Sequence, residues 1–248
     1  IFEADDASGG MMRTVIPDFR LNKNYLNREI KAIVDEYKIT IHFGKKLGRD
    51  FTIASLREKK FDAIFIAIGA QLSKGMALEG SDKFDVLPGV DFLKKINRGE
   101  MAQDAFRDKD VVVLGGGNVA MDAARVAKRL GGRVTIVYRR SLNEMPATPE
   151  EREQAAEEGV VFLMLSNPKR FVAEEGSRGM ECLRMELGEP DASGRRRPVS
   201  IKGSEFIIPC DIAIMAIGQE AETDCLNAER FELAGGLIKT DNCTFQTS

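Results

Sequence analysis

The sequence predicts an α/β fold with parallel strands, and two features carry that expectation. The first lies between Val111 and Arg140, where the apolar run Val111 to Leu114 enters Gly115-Gly116-Gly117 and is followed by Val119, Ala123, Val126, Ala127 and Leu130 on one helical face. Gly131-Gly132 stops that helix, and Val134-Thr135-Ile136-Val137 reads as a second buried strand, which completes a βαβ unit. The second is an internal echo. Asp62 to Ala70 and Asp211 to Gln219 share one design, an aspartate followed by a buried apolar strand and Ala-Ile-Gly. Strands of that kind end where α/β proteins bind ligands, so the echo argues for two related nucleotide-binding domains.

Within the βαβ unit, Gly115-x-Gly117-x-x-Ala120 is the dinucleotide fingerprint in its G-x-G-x-x-A form. Gly115 permits the tight turn out of the strand, Gly117 lets the backbone approach a pyrophosphate, and Ala120 is small enough for close helix–strand packing. Asn118 and Val119 supply the first amides of a helix N-terminus, whose dipole favours an anion. The alternative is a glycine-rich turn in an ordinary α/β domain. At the end of the second strand, where an NAD site places an acid, the chain reads Tyr138-Arg139-Arg140, and two guanidiniums match the 2′-phosphate of NADP(H). A solvated basic turn is the other reading, in which Glu144 pairs with either arginine. Glu144 is equally suited to accept from a ribose hydroxyl.

A chain of 248 residues with 43% hydrophobic composition has enough apolar material for two domains. The net charge of −3 and pI near 5.5 give no bulk attraction to nucleic acid, and Arg195-Arg196-Arg197 reads as a solvated turn. No apolar run reaches membrane-spanning length and no signal-like segment opens the chain, so a soluble cytoplasmic protein is expected. Cys182, Cys210, Cys225 and Cys243 contain no C-x-x-C pair and describe no metal site; they read as buried or incidental thiols. The lone His42 alternates with Ile39, Ile41 and Phe43, which puts it on the outer face of a strand, and one histidine builds no multi-histidine metal centre.

Taken in order, Ile1-Phe2-Glu3-Ala4 reads as the end of a buried strand, and the chain is expected to be a fragment. Glu3 followed by Gly9-Gly10 suits the second strand of a further dinucleotide unit, in which the carboxylate takes ribose hydroxyls; an ordinary strand-end acid is the alternative. After the loop Ile16 to Leu21, a helix is expected with Leu26, Ile30, Ile33, Val34 and Tyr37 at helical spacing, then a strand over 39–43 and a short helix over 53–58. Residues 61–70 are expected to form a buried parallel strand, 71–88 a loop, and 90–96 a short helix. After the fingerprint unit come a loop over 141–146, a helix over 149–158 with proline and acids in its first turn, and a strand over 160–165. The acidic run of that helix reads as a solvated face. Short alternating segments over 170–173, 181–187 and 204–208, separated by Gly176, Gly179, Gly188, Gly194 and Gly203, predict an antiparallel meander inserted in the pattern. Residues 235–241 suggest a hairpin strand.

These motifs together resemble the small (beta) subunit family of NADPH-dependent glutamate synthase, with the flavin half of dihydropyrimidine dehydrogenase and the large subunit of ferredoxin-linked NADP transhydrogenases. The resemblance rests on Phe2-Glu3-Ala4 with Gly9-Gly10, Ile16 to Leu21, Ala67 to Ala70, Gly115 to Asp122, Tyr138 to Arg140, Glu144-Met145-Pro146 and Ala216 to Gln219. It implies two nested, Rossmann-like domains of the disulfide-reductase type. Residues 1–90 and 226–248 are expected to form a partial FAD domain, interrupted over 91–225 by an NADP(H) domain. Glu3 would bind the FAD ribose, Gly10, Ala67 and Gly69 would line the flavin, and Ala216 and Gly218 would face the nicotinamide. Gly115, Gly117, Asn118, Val119, Ala120, Arg139, Arg140 and Glu144 would hold NADPH. In such proteins hydride passes from NADPH to FAD, and electrons leave through iron–sulfur clusters to a larger catalytic subunit or a ferredoxin-type acceptor. The cofactors carry that chemistry, so no side chain is named as acid, base, nucleophile or metal ligand. The resemblance places the family's flavin pyrophosphate loop before Ile1 and its closing glycine–aspartate motif after Ser248, so this chain alone is expected to bind NADPH without turnover. The competing reading is a module that senses NADP(H) or scaffolds a partner without redox work.

Overall fold

A computed structural model describes residues 1–174, 177–192, 194–229 and 231–247; Gly176, one of the glycines expected to separate the meander segments, lies outside them. The first elements are α1 (Gly10–Thr14), α2 (Lys23–Glu36), α3 (Ile53–Glu58), β1 (Leu72–Ser73), β2 (Asp85–Pro88) and α4 (Gly89–Asn97). The expected βαβ unit follows as β3 (Asp110–Leu114), α5 (Asn118–Arg129) and β4 (Arg133–Val137). Next come α6 (Pro149–Glu157), β5 (Val161–Leu163), β6 (Ser166–Glu174), β7 (Ser177–Pro190), β8 (Arg196–Ser200), β9 (Phe206–Pro209) and β10 (Ile212–Met215). The short strands β11 (Gln219–Glu220), β12 (Leu233–Ala234) and β13 (Leu237–Ile238) close the order. The chain divides into two compact units, one of residues 1–14, 18–72 and 219–248, the other of 15–17 and 73–218. These divisions fall earlier than the expected ones at 90 and 225.

The second unit has three layers. Its centre is a parallel sheet in the order β2-β10-β3-β4-β5. Side chains alternate across a strand, so the central strands β10, β3 and β4 offer two apolar faces and are predominantly apolar along their length. Helices α4 and α5 pack on one face, against β10, β3 and β4. On the other, Val112, Leu114, Val137, Ala213 and Met215 join Phe171, Met180 and Cys182 of the meander in one core cluster. The antiparallel meander is present, with β7 flanked by β6 on one side and by β8 and β9 on the other. It forms the third layer, because the apolar face opposite the helices needs a cover. Each fully buried Val, Ile or Leu in these layers contributes about 1.5–3 kcal/mol relative to an exposed one.

Two expectations in this unit are corrected. Asp85–Pro88, expected within a loop, pairs in parallel with Ile212–Met215 as a sheet edge. Arg196, expected in a solvated turn, opens strand β8 beside the second half of β7. Within α6 the acidic run is mixed: Glu151 is buried and forms a reciprocal capping box with Thr148, while Glu150 and Glu153 are exposed.

The first unit has the expected helices α2 and α3 and the expected hairpin, β12 against β13 across Gly235-Gly236. Among the described residues its buried apolar side chains are few, namely Leu26, Ile53, Leu56 and Leu226. The strand expected over 61–70 does not form, and Phe65 within it is 92% exposed. The strand expected over 39–43 is reduced to a single bridge, in which His42 pairs with Phe2 and stacks on its ring at 5.1 Å. A buried parallel strand draws its hydrogen bonds from neighbours on both sides, and among the described residues no strand pairs with 61–70.

Candidate functional site

The carboxyl ends of β10, β3 and β4 lie side by side, and three of the predicted segments emerge there. The amide of Ala216 donates to the Leu114 carbonyl at 2.8 Å, and that of Gly115 donates to the Val137 carbonyl at 3.2 Å. This register explains the glycine at 115. Its φ is +136°, and a Cβ there would lie 2.2 Å from the Ala216 carbonyl oxygen. The fingerprint turn and Ala216-Ile217-Gly218 are therefore in direct contact, as two strands ending beside one ligand require. Gly218 itself has φ +134° and accepts from the Lys74 amide at 3.0 Å.

Gly117 differs from Gly115. It is the N-cap of α5, has ordinary backbone angles, and makes no side-chain cap. A Cβ built on it meets nothing within 4 Å. Its carbonyl accepts from Ala120 at 2.9 Å and Met121 at 3.1 Å, which leaves the amides of Asn118 and Val119 at the head of the helix. Asn118 is exposed, Val119 is half-buried, and Ala120 is fully buried against the turn. Open space ahead of an uncapped helix N-terminus suits a phosphate.

The segment after β4 alternates. Tyr138 is buried, Arg139 is exposed, and Arg140 is buried at 5% exposure. The Tyr138 hydroxyl donates to the Glu144 carbonyl at 2.8 Å and fixes the loop. Arg139 makes no ion pair among the described residues. Arg140 donates through Nε to the Arg196 carbonyl at 2.8 Å and through Nη2 to Asp191 Oδ2 at 2.7 Å. The Glu144 carboxylate accepts from the Ser141 hydroxyl at 2.5 Å and the Ser141 amide at 3.2 Å, as a local cap. The Ser141 hydroxyl holds that carboxyl below its ordinary range, with a smaller contribution from the charge of Arg196. Asp191 and Arg196 were missed by sequence reasoning. They stand some fifty residues beyond Arg140, one just after β7 and the other at the start of β8.

Residues expected at a flavin lie in the first unit. Glu3 is half-buried; its amide donates to the His42 carbonyl at 3.0 Å, and its carboxylate accepts from the Asp5 amide at 3.0 Å. Gly10 starts α1 with φ +47°. Ala67 and Gly69 are exposed. Gln219 donates to the Ala70 carbonyl and to Met11 Sδ, both at 3.4 Å, which brings the end of segment 61–70 beside α1. Among the described residues no cluster of His, Cys, Asp or Glu is placed to hold a metal ion, and no helix is long and apolar enough to cross a membrane.

The NADP(+)-dependent formate dehydrogenase subunit beta of Moorella thermoacetica is 45% identical over 253 residues, covering 100% of this chain and 35% of that protein. The glutamate synthase [NADPH] small chain of Azospirillum brasilense is 33% identical, covering 90% of this chain and 48% of that protein. The chain thus spans between a third and a half of the length of these relatives. Among solved structures, Mycobacterium tuberculosis FprA in complex with NADPH superposes with a TM-score of 0.76 at 18% identity, over 97% of this chain and 69% of that one, a likeness of fold. The family profile described as pyridine nucleotide-disulphide oxidoreductase matches residues 4–248, and the chain belongs to that family, with its disulfide-reductase-type α/β fold.

Proposed function

We propose that this chain is the nucleotide-binding part of a flavin-dependent NADPH oxidoreductase. The observation that carries the reading is the space at Gly117, ahead of the uncapped first turn of α5 and beside the ends of β10 and β4. In this reading Asn118 and Val119 bind the pyrophosphate through their amides, and Gly115 and Ala120 keep the turn close to the helix. Arg139 and Arg140 discriminate the 2′-phosphate, Glu144 shapes the adjacent loop through Ser141, and Ala216 and Gly218 border the nicotinamide. The NADP(H) domain then corresponds to residues 73–218, which include β2, rather than starting at 91.

The first unit is assigned to FAD, with Glu3 on the ribose and Gly10, Ala67 and Gly69 along the flavin. The exposure of Ala67 and Gly69 leaves their backbone open to such a ligand. When bound, the two cofactors supply hydride transfer from nicotinamide to flavin; the chain's own residues bind and orient them. Relatives named as subunits of formate dehydrogenase and glutamate synthase support a larger redox partner that takes the electrons. The substrate follows from that partner. A cytoplasmic location accords with use of NADPH.

The test is the visible spectrum of the intact, anaerobically purified protein that contains this chain, with NADPH and separately with NADH. Flavin bands that bleach with NADPH and much less with NADH are expected. A colourless protein that only binds nucleotide would favour a sensing or scaffold module, and bleaching by NADH alone would overturn the NADP(H) assignment.

A further inference from the structure

The fingerprint G-x-G-x-x-A leaves its second position free, yet this chain places Gly116 there. Backbone conformation does not demand it, because Gly116 is not among the glycines with positive φ. The demand comes from space. A Cβ on Gly116 would lie 2.7 Å from both Cδ2 and Cε2 of Tyr138 and 3.1 Å from its Cγ. That ring is fixed at both ends. The Tyr138 amide donates to the Leu163 carbonyl at 3.0 Å, its carbonyl accepts from the Ser166 amide at 3.1 Å, and its hydroxyl donates to the Glu144 carbonyl at 2.8 Å. The Gly116 carbonyl is engaged as well, accepting from the Ala147 amide at 3.0 Å. Gly116 and Tyr138 are both buried, as are Met145 and Ala147 of the loop. Gly116 stands between Gly115, which meets Ala216, and Gly117, which faces the open space ahead of α5.

We infer that Tyr138 is a positioning residue: its ring seats on Gly116 and its hydroxyl holds Glu144, so that the phosphate turn and the loop 139–147 act as one body. The loop is then ordered before a nucleotide arrives, and binding does not have to supply that order. This inference rests on the NADPH reading above and adds to it a residue assigned no contact with the nucleotide.

The experiment titrates NADPH into the intact protein that contains this chain and follows thermal unfolding of the same samples. Tyr138→Phe keeps the ring on Gly116 and removes one hydrogen bond. It is expected to fold and to bind NADPH about fivefold more weakly, the effect of losing one neutral hydrogen bond that orders the loop. A tyrosine that serves stability alone would lower the unfolding midpoint in this variant and leave the affinity of the folded protein unchanged. Gly116→Ala drives a methyl into the ring and is expected to weaken NADPH by about tenfold; in a Tyr138→Leu background, where the ring is gone, the same change should cost about twofold. The inference is overturned if Tyr138→Phe binds NADPH as tightly as wild type, or if Gly116→Ala weakens NADPH equally in both backgrounds. A wild-type protein that binds no NADPH sinks the NADPH reading itself, which is a different outcome from wild-type binding that the Tyr138 variants preserve.

Discussion

Gly115 and Gly117 stand two residues apart in one turn and make opposite predictions. Alanine at 115 must adopt φ near +136° and place its methyl against the Ala216 carbonyl. Backbone strain and clash together should cost about 3 kcal/mol, read as a lowered midpoint in chemical denaturation. Alanine at 117 meets no atom and should cost under about 1 kcal/mol, yet it fills the space reserved for phosphate. Its variant should melt close to wild type while losing NADPH affinity, and unchanged affinity would refute the assignment of that space. The thiols make a further prediction at this scale. Burial pushes Cys182 and Cys210 from 9.0 up to about 12, whereas Cys243 is exposed. Their folded values lie above the unfolded ones, so their contribution to stability is complete below pH 9 and is lost as pH rises toward 12. Urea midpoints measured from pH 8 to pH 11 should fall, and less steeply in a Cys182→Ala, Cys210→Ala variant.

Helix α6 shows how local signals fix an element. Thr148 caps the Glu151 amide, the Glu151 carboxylate returns to the Thr148 amide, and proline opens the first turn. Thr148→Ala should therefore destabilise by about 1 kcal/mol, measured by denaturation of the intact chain. Where such signals sit within one βαβ unit, the sequence was readable: strand β3, the glycine turn, helix α5 and strand β4 all occur where periodicity and glycines place them. The hairpin at Gly235-Gly236 was legible for the same reason. Failures fall where structure depends on distant partners. Residues 61–70 and 211–219 share one pattern, but Ile212–Met215 lies between two strands and Phe61 to Ala70 pairs with none among the described residues. Asp85–Pro88 is a strand because β10 is beside it, and nothing within its four residues says so. At the site, glycines and strand ends were legible, while the tie from Arg140 to Asp191 depends on pairing across the chain.

At the scale of the molecule, most of the buried apolar side chains belong to the layered unit, and stability should follow them. Residues 73–218 expressed alone should unfold in one cooperative transition and be stabilised by 2′,5′-ADP; a non-cooperative melt would show that the other unit is needed to complete this core. The loss of Val15, which is buried, should lower stability modestly. One feature of the third layer has a temporal meaning. Strand β7 changes partner along one edge, from β9 at Gly179–Cys182 to β8 at Met185–Pro190. Strand β9 leads directly into buried Cys210, whereas β8 is exposed along most of its length and ends the sheet among the described residues. Amide protons of β8 should therefore exchange with solvent well before those of β9. The Arg140–Asp191 ion pair joins the far end of that faster-exchanging β7–β8 hairpin to the loop after β4, so the lifetime of the hairpin's closed state also limits how long that loop keeps its shape.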